Sequence, residues 1–496
     1  RNQTTPYVLY APLALAVVAL CIFTIPWHMD EFIMYHSLAC SELSQRENLY
    51  GVACGTHQVS LGPFTYDWSY PYVGGASSLL IAPFFLATGA MWSTYLVGSI
   101  VLALLTWAII SLLALPWKWW PLVLLYFPLT FTVLHDGGPV RIGLLAFVLT
   151  PILARRFMRA SFVGKFFLFA VLCALWLLAT EDKPFFLFIA AGIAPLVVAS
   201  FILHGQWHEV RQKWYQLIAL FATLYGSCVL LLFALQKNGQ SYLLYLGELS
   251  GGRRLKDLAY SGLAGFANLT NWPYLTHRVS DFAQLGQPSL PEPLDLAAQF
   301  TVWGGSTQAA AVFGLMALTV LTFVGVLIWA GWSGLRRERL TLESPLLWLV
   351  VAIATTALGT VIAVGLFSHH FVFTHLMVLS FILVAAIRTR YGYQVVGLLF
   401  TFMTAMSLIA LLLTPRMSTS SDYVMPAMDR AIALASPKDV INCGDWGCYY
   451  PYALENRDNI PILFATTPTE QRKMSDRFLD RDRSIIHVCL DCELEE

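Results

Sequence analysis

Charge is what this chain has little of: 12% of its 496 residues are Asp, Glu, Lys or Arg, and the 30 acidic and 30 basic side chains cancel. A net charge of zero offers no basic field to a nucleic-acid backbone, so that class of partner is excluded. No internal repeat and no low-complexity tract is visible, which sets aside solenoids and long disordered linkers. The first apolar stretch lacks a small-residue cleavage site before Asp30, so it reads as a retained anchor and not as a signal peptide. What remains is apolar: 57% of the residues are hydrophobic and the mean hydropathy is +0.63. A water-soluble core could not hide that much apolar surface.

Apolar runs, most of them about 17 to 25 residues and so long enough to cross a hydrocarbon core as helices, recur along the chain. They fall at 7–27, 92–115, 120–134, 141–154, 166–180, 184–203, 215–235, 307–331, 345–367, 371–387 and 394–414. Basic clusters between them set the orientation, because Lys and Arg are retained on the cytoplasmic side. Arg155, Arg156, Arg159 and Lys165 form one cluster, Arg211 and Lys213 a second, Arg336, Arg337 and Arg339 a third, and Arg388 and Arg390 a fourth. With all four inside, the chain makes about eleven crossings from a cytoplasmic N-terminus to an external C-terminus. The run from Gly74 to Ala90 is not counted: a crossing there would turn every basic cluster outward, and its small residues, broken by Pro83, suit a segment that dips into the interface. The predicted fold class is a polytopic α-helical membrane protein.

Non-membrane material then gathers on the external side, in a first loop over 28–91, a second over 236–306 and a tail over 415–496 that follows the membrane region 1–414. The tail alternates predicted strands at 439–443, 460–464 and 484–488 with helical stretches at Met425 to Ala435 and Pro468 to Leu479, the pattern of a small α/β domain. Cysteine agrees with this sidedness. Cys21, Cys173 and Cys228 sit in apolar runs as inert small hydrophobes. Cys40, Cys54, Cys443, Cys448, Cys489 and Cys492 all fall outside, an even number on an oxidising side, as disulfides require. Cys40 is read as bridged to Cys54, and the four tail cysteines either pair in an open connectivity or close a tetrahedral zinc site.

Acidic groups recur where external segments meet spans: Asp30 and Glu31 after the first, Asp136 within His135-Asp136-Gly137-Gly138-Pro139, and Glu181 and Asp182 with Lys183 before Pro184. Carboxylates converging on one boundary offer a general base and groups to orient a hydroxyl. The alternative for each is a solvated loop residue or a helix cap, and for Glu181 or Asp182 an ion pair with Lys183. In the second loop, Gly251-Gly252-Arg253-Arg254-Leu255-Lys256 joins close backbone approach to planar forks suited to phosphate, with His277 and Arg278 able to add to it. Lipid-headgroup attraction is the competing reading there. His369 and His370, at another external turn, suit a phosphate or a metal, or are ordinary interfacial histidines.

In this order the chain resembles the GT-C superfamily of lipid-linked-sugar glycosyltransferases, and within it the branch of protein O-mannosyltransferases and aminoarabinose transferases. The resemblance rests on Asp30-Glu31 after the first span, the apolar stretch Leu79 to Gly89, Asp136 in the second external turn, the Thr180-Glu181-Asp182-Lys183-Pro184 turn, and an external tail that carries Asp445-Trp446-Gly447. It covers residues 7–235 in order and the remainder more loosely. Two departures stand out: Met91-Trp92-Ser93-Thr94 replaces the usual Arg after the interfacial helix, and His-Asp-Gly-Gly forms the second turn.

The resemblance implies an inverting transferase at the outer face of a bacterial inner (plasma) membrane. A polyprenyl-phosphate-linked sugar would enter from the bilayer with its phosphate on Arg253, Arg254, Lys256, His277, Arg278, His369 and His370. Asp30 would deprotonate an acceptor hydroxyl of a glycan, lipid or protein, with Glu31, Asp136, Glu181, Asp182 and Lys183 orienting acceptor or base. A monophosphate is already an activated leaving group, so no metal or other cofactor is required. An oligosaccharide ligase or polymerase using a diphosphate-linked glycan shares the external site, and a secondary transporter shares the many spans.

Overall fold

The fold is described, in a computed structural model, over residues 5–24, 49–50, 58–61, 64–67, 76–88, 90–135, 138–236, 307–336, 341–362, 368–413, 440–443, 462–463 and 485–488. The helices are α1 (Thr5–Thr24), α2 (Ala76–Thr88), α3 (Ala90–Leu112), α4 (Trp120–Leu125), α5 (Phe127–His135), α6 (Arg141–Arg159), α7 (Phe162–Asp182), α8 (Phe186–Ile189), α9 (Ile193–Leu203), α10 (Trp207–Gln236), α11 (Thr307–Leu335), α12 (Pro345–Ile362), α13 (Ser368–Ile387) and α14 (Gly392–Leu413). Among the described residues, eight helical segments are long and apolar enough to cross a membrane, within α3, α7, α8 with α9, and α10 to α14. Large apolar side chains such as Phe162, Leu230, Leu321 and Leu398 are exposed on them, a liability in water and the expected surface toward lipid. The chain is therefore a polytopic helical membrane protein. The predicted spans 7–27, 120–134 and 141–154 coincide with α1, with the broken pair α4 and α5, and with α6, which carries Arg141, Arg155, Arg156 and Arg159.

Contacts distinguish the two ends of the bundle. At one, Tyr10 donates to the Gln394 carbonyl at 3.1 Å, Trp119 meets Tyr393 edge-on at 5.2 Å between centroids, Arg155 Nη2 donates to the Ser111 carbonyl at 3.4 Å, and Arg159 Nε donates to Glu209 at 2.9 Å. The described members of all four basic clusters lie at this end. Exposed aromatics accompany them: Arg336 stacks over Trp332 at 4.6 Å and Arg390 over Tyr391 at 5.3 Å, and Trp117 and Trp214 are also exposed. Aromatic rings beside basic side chains are the usual furniture of a membrane–water boundary.

At the other end Glu181 and Asp182 meet Ala76 and Ser77, and the Thr360 hydroxyl donates to the His370 carbonyl at 3.5 Å. This decides the course of α2. The α3 helix finishes at the basic end, where the Ser200 hydroxyl donates to the Leu112 carbonyl at 3.2 Å, so it starts at the opposite end, two residues after α2 stops. Because α2 also begins there, both of its ends share one side. Thirteen residues reach about 20 Å, short of a hydrocarbon core of about 30 Å. The predicted dip over 74–90 is thus a helix that leaves the orientation of the other elements unchanged.

A break separates α4 from α5. Pro128 has no N–H and its ring crowds the Leu124 carbonyl four residues back, so the helix cannot run on and Tyr126 adopts φ −76°, ψ 86°. Freed carbonyls inside a bilayer cost several kcal/mol each unless bonded. Thr130 Oγ1 donates to the Leu124 carbonyl and Thr404 Oγ1 to that of Leu125, both at 2.8 Å. The Tyr126 hydroxyl meets His375 Nδ1 at 3.1 Å in the same region.

Outside the helices, β2 (Gln58–Leu61) and β3 (Phe64–Asp67) pair antiparallel, with Leu61 opposite Phe64. The strands β4 (Val440–Cys443), β5 (Ile462–Leu463) and β6 (Ile485–Val488) coincide with the three predicted tail strands, and β4 pairs parallel with both of the others. Parallel pairing needs a crossover between strands, which fits the predicted alternation of strand and helix. The tail helices predicted from sequence lie outside the described residues. Unanticipated was β1 (Leu49–Tyr50), a first-loop strand that adds in parallel to β5 and gives the order β1-β5-β4-β6. First loop and tail therefore share one sheet, which requires an even number of crossings between them.

Candidate functional site

Of the residues singled out from sequence, Glu181, Asp182, Lys183 and His370 are described with their side chains, and His369 and Cys443 by backbone alone. Asp30, Glu31, Cys40, Cys54, Asp136, Arg253, Arg254, Lys256, His277, Arg278, Cys448, Cys489 and Cys492 lie outside the described residues. Cys443 closes β4 opposite Val488, the residue before Cys489. Cys21, Cys173 and Cys228 are free thiols, buried or half-buried in the bundle.

Glu181 and Asp182 are the last two residues of α7, where the negative end of the helix dipole disfavours a carboxylate. Their partner is the positive end of another helix. The Ala76 N–H donates to Glu181 Oε2 at 3.0 Å and the Ser77 N–H to Asp182 Oδ1 at 2.9 Å, while the Ser77 hydroxyl donates to Asp182 Oδ2. These bonds satisfy the first orphan N–H groups of α2, the task that a local N-cap side chain ordinarily performs. Both carboxylates are buried, Asp182 at 0% exposure, and Lys183 beside them is buried too. A hydrogen bond of this kind contributes about 0.5–1.5 kcal/mol net, and a buried donor left without its acceptor costs about 1–3 kcal/mol. The solvated-loop reading of the pair is thereby set aside; the cap reading holds, across two helices instead of within one.

Arg141 was missed. At 1% exposure it is among the largest fully buried side chains, and its Nε donates to the Val133 carbonyl at 3.0 Å and its Nη2 to the Leu134 carbonyl at 3.4 Å. Both carbonyls lie in the last turn of α5, where helix carbonyls lack intrahelical donors and a cation is favoured. Gly98 makes room: a Cβ there would lie 3.3 Å from Arg141 Nη2. The sequence did carry a signal, an arginine at the start of an apolar run, at the end opposite the four basic clusters between spans and five residues after Asp136.

His370 is buried in aromatic packing. Its ring stands edge-on to Phe185 at 5.2 Å, and Phe185 packs in turn on Phe373 at 5.9 Å. The turn after Asp182, the end of α12 and the start of α13 thus meet. Among the described residues no group of three or more His, Cys, Asp and Glu side chains is placed to hold a metal ion.

These pieces adjoin one another at the end away from the basic clusters: α2 packs against α6, α7 and the 3-10 turn Gly138–Val140 that follows Asp136, and α7 also touches that turn. Two segments that bear or flank candidate carboxylates, the end of α7 and the turn after Asp136, therefore meet at α2. No family model matches the chain and no curated protein matches it.

Proposed function

We propose that the protein is an inverting glycosyltransferase of GT-C type, moving a sugar from a polyprenyl-phosphate donor to an acceptor hydroxyl at the face of a bacterial inner membrane opposite its basic clusters. The observation that carries the reading is the meeting of α2, the turn after Asp136 and the carboxylate end of α7 at one end of the bundle. In this reading the chain makes eleven crossings and ends in an external α/β domain over 415–496. Asp30 takes the acceptor proton as its oxygen attacks the anomeric carbon, with Glu31 and Asp136 orienting acceptor or base. Arg253, Arg254 and Lys256, helped by His277 and Arg278, balance the charge that builds on the departing lipid phosphate, where such stabilisation lowers the barrier most. The free lipid phosphate and the inverted glycoside are the products.

A secondary transporter is the second reading, favoured by the broken α4–α5 helix and its buried Tyr126–His375 pair. The break is closed by Thr130, Thr404 and Phe400, whose ring lies 5.2 Å from that of Tyr126, so the described groups there are committed to packing. Reconstituted protein should transfer radiolabel from a polyprenyl monophosphate sugar and not from the matching diphosphate. Transfer from the diphosphate alone would identify a ligase or polymerase, and solute uptake without transfer would identify a transporter.

A further inference from the structure

The Glu181–Asp182 pair ends one helix and begins another. Asp182 has both carboxylate oxygens engaged by Ser77, one by the N–H and one by the hydroxyl, and Glu181 holds the neighbouring Ala76 N–H. Each group is buried, so neither carboxylate is spread over solvent. Downstream of this grip α2 ends at Thr88, two residues before α3 begins, and upstream it follows the β2–β3 hairpin, with β3 packed against it. The first two N–H groups of α2 are bonded from a span more than one hundred residues away. We infer that Glu181 and Asp182 are positioning residues, a two-carboxylate clamp that fixes the first loop through α2 instead of touching the acceptor.

The consequence for transfer rests on the function proposed above; the clamp itself does not. Loss of the clamp frees the start of α2, and with it the anchorage of the first loop, in which Asp30 and Glu31 lie. Sub-ångström placement of a base matters steeply for rate, so a modest drift registers as a loss of turnover.

Hydrogen exchange at the Ala76 and Ser77 amides reads the clamp directly. Asp182→Asn and Glu181→Gln, confirmed as folded by gel filtration, should each speed exchange at the partner amide by about tenfold to a hundredfold, as expected when a buried donor loses its best acceptor. Unchanged exchange overturns the inference. A second arm uses Ser77→Cys with Asp182→Cys, joined by oxidation or a one-carbon bis-thiosulfonate bridge. Transfer should be low when the thiols are reduced and return when the bridge is closed, because a tether replaces a clamp. A closed bridge with transfer still absent overturns positioning and returns Asp182 to acceptor contact. If the unaltered protein transfers nothing from either donor, the proposed function falls and exchange alone decides the clamp.

Discussion

Tyr126 and His375, 249 positions apart in sequence, share a hydrogen bond of 3.1 Å between side chains that are both fully buried in the bundle. Two polar groups in an apolar layer need each other more than they would in water. Tyr126→Phe keeps the ring against Phe400 and deletes only the hydroxyl. It should lower stability by about 1 kcal/mol, the net worth of one such bond, measured as a shift in thermal unfolding in detergent. His375→Leu alone should cost at least as much, and adding it to Tyr126→Phe should cost less than the sum, since the pair acts as one unit.

Close approach of backbones supplies a second test. A Cβ on Gly359 of α12 would overlap the Phe188 carbonyl oxygen and lie 2.8 Å from its carbon, in the span formed by α8 and α9. Backbone cannot rotate aside, so Gly359→Ala should destabilise the bundle by about 1–3 kcal/mol. Gly226, exposed in α10 with nothing within 4 Å of its Cβ position, is the control. Gly226→Ala should stabilise by about 0.5–1 kcal/mol through helix propensity alone. Equal effects at the two sites would mean that α12 does not touch α8 as described.

Much of this was legible in the sequence. Hydropathy and the four arginine and lysine clusters located the helices and the side on which α2 turns back, because length and charge act locally and are written in consecutive residues. The break at Tyr126 was not read, although Pro128 stood in the run taken as one span. Its repair by Thr404 and His375 depends on contacts far along the chain, which periodicity does not carry. Glu181 and Asp182 were recognised as chemically unusual and given a role toward substrate; their grip on Ala76 and Ser77 joins elements over one hundred positions apart. Arg141 was hidden for the opposite reason, a single charge beside an apolar run that reads as the start of a helix and nothing more.

His204, in the turn after α9, gives the pH dependence. Burial holds its pKa below the ordinary value, and the nearby charges of Arg155 and Arg159 act in the same direction, against the raising effect of its bond to the Ser200 carbonyl at 2.9 Å. The unfolded chain therefore binds the proton first as pH falls. Stability attributable to this site is complete above the unfolded value of about 6.5 and declines as pH drops from there toward the lower folded value. Thermal unfolding followed from about pH 8 to pH 5 should show a decline that His204→Gln makes shallower. A steeper decline in the variant would reverse the assigned sign.

The proposed transfer reaction supplies the last test, at two residues outside the described ones. Asp30→Asn keeps size and polarity and removes basicity, so the protein should fold, bind donor and lose about a hundredfold to ten-thousandfold in transfer, the usual worth of a positioned base. Arg253→Ala should behave differently, because a phosphate contact exists before the reaction and strengthens during it. Donor affinity and rate should both fall, and the loss in kcat/KM should exceed the loss in kcat. Titrating donor against each variant separates the two patterns. Near-normal turnover in folded Asp30→Asn at saturating donor would move the base to Glu31 or Asp136. An Arg253→Ala enzyme with unchanged donor affinity would move the phosphate site elsewhere on the same face, where buried Arg141 is the first described cation to examine.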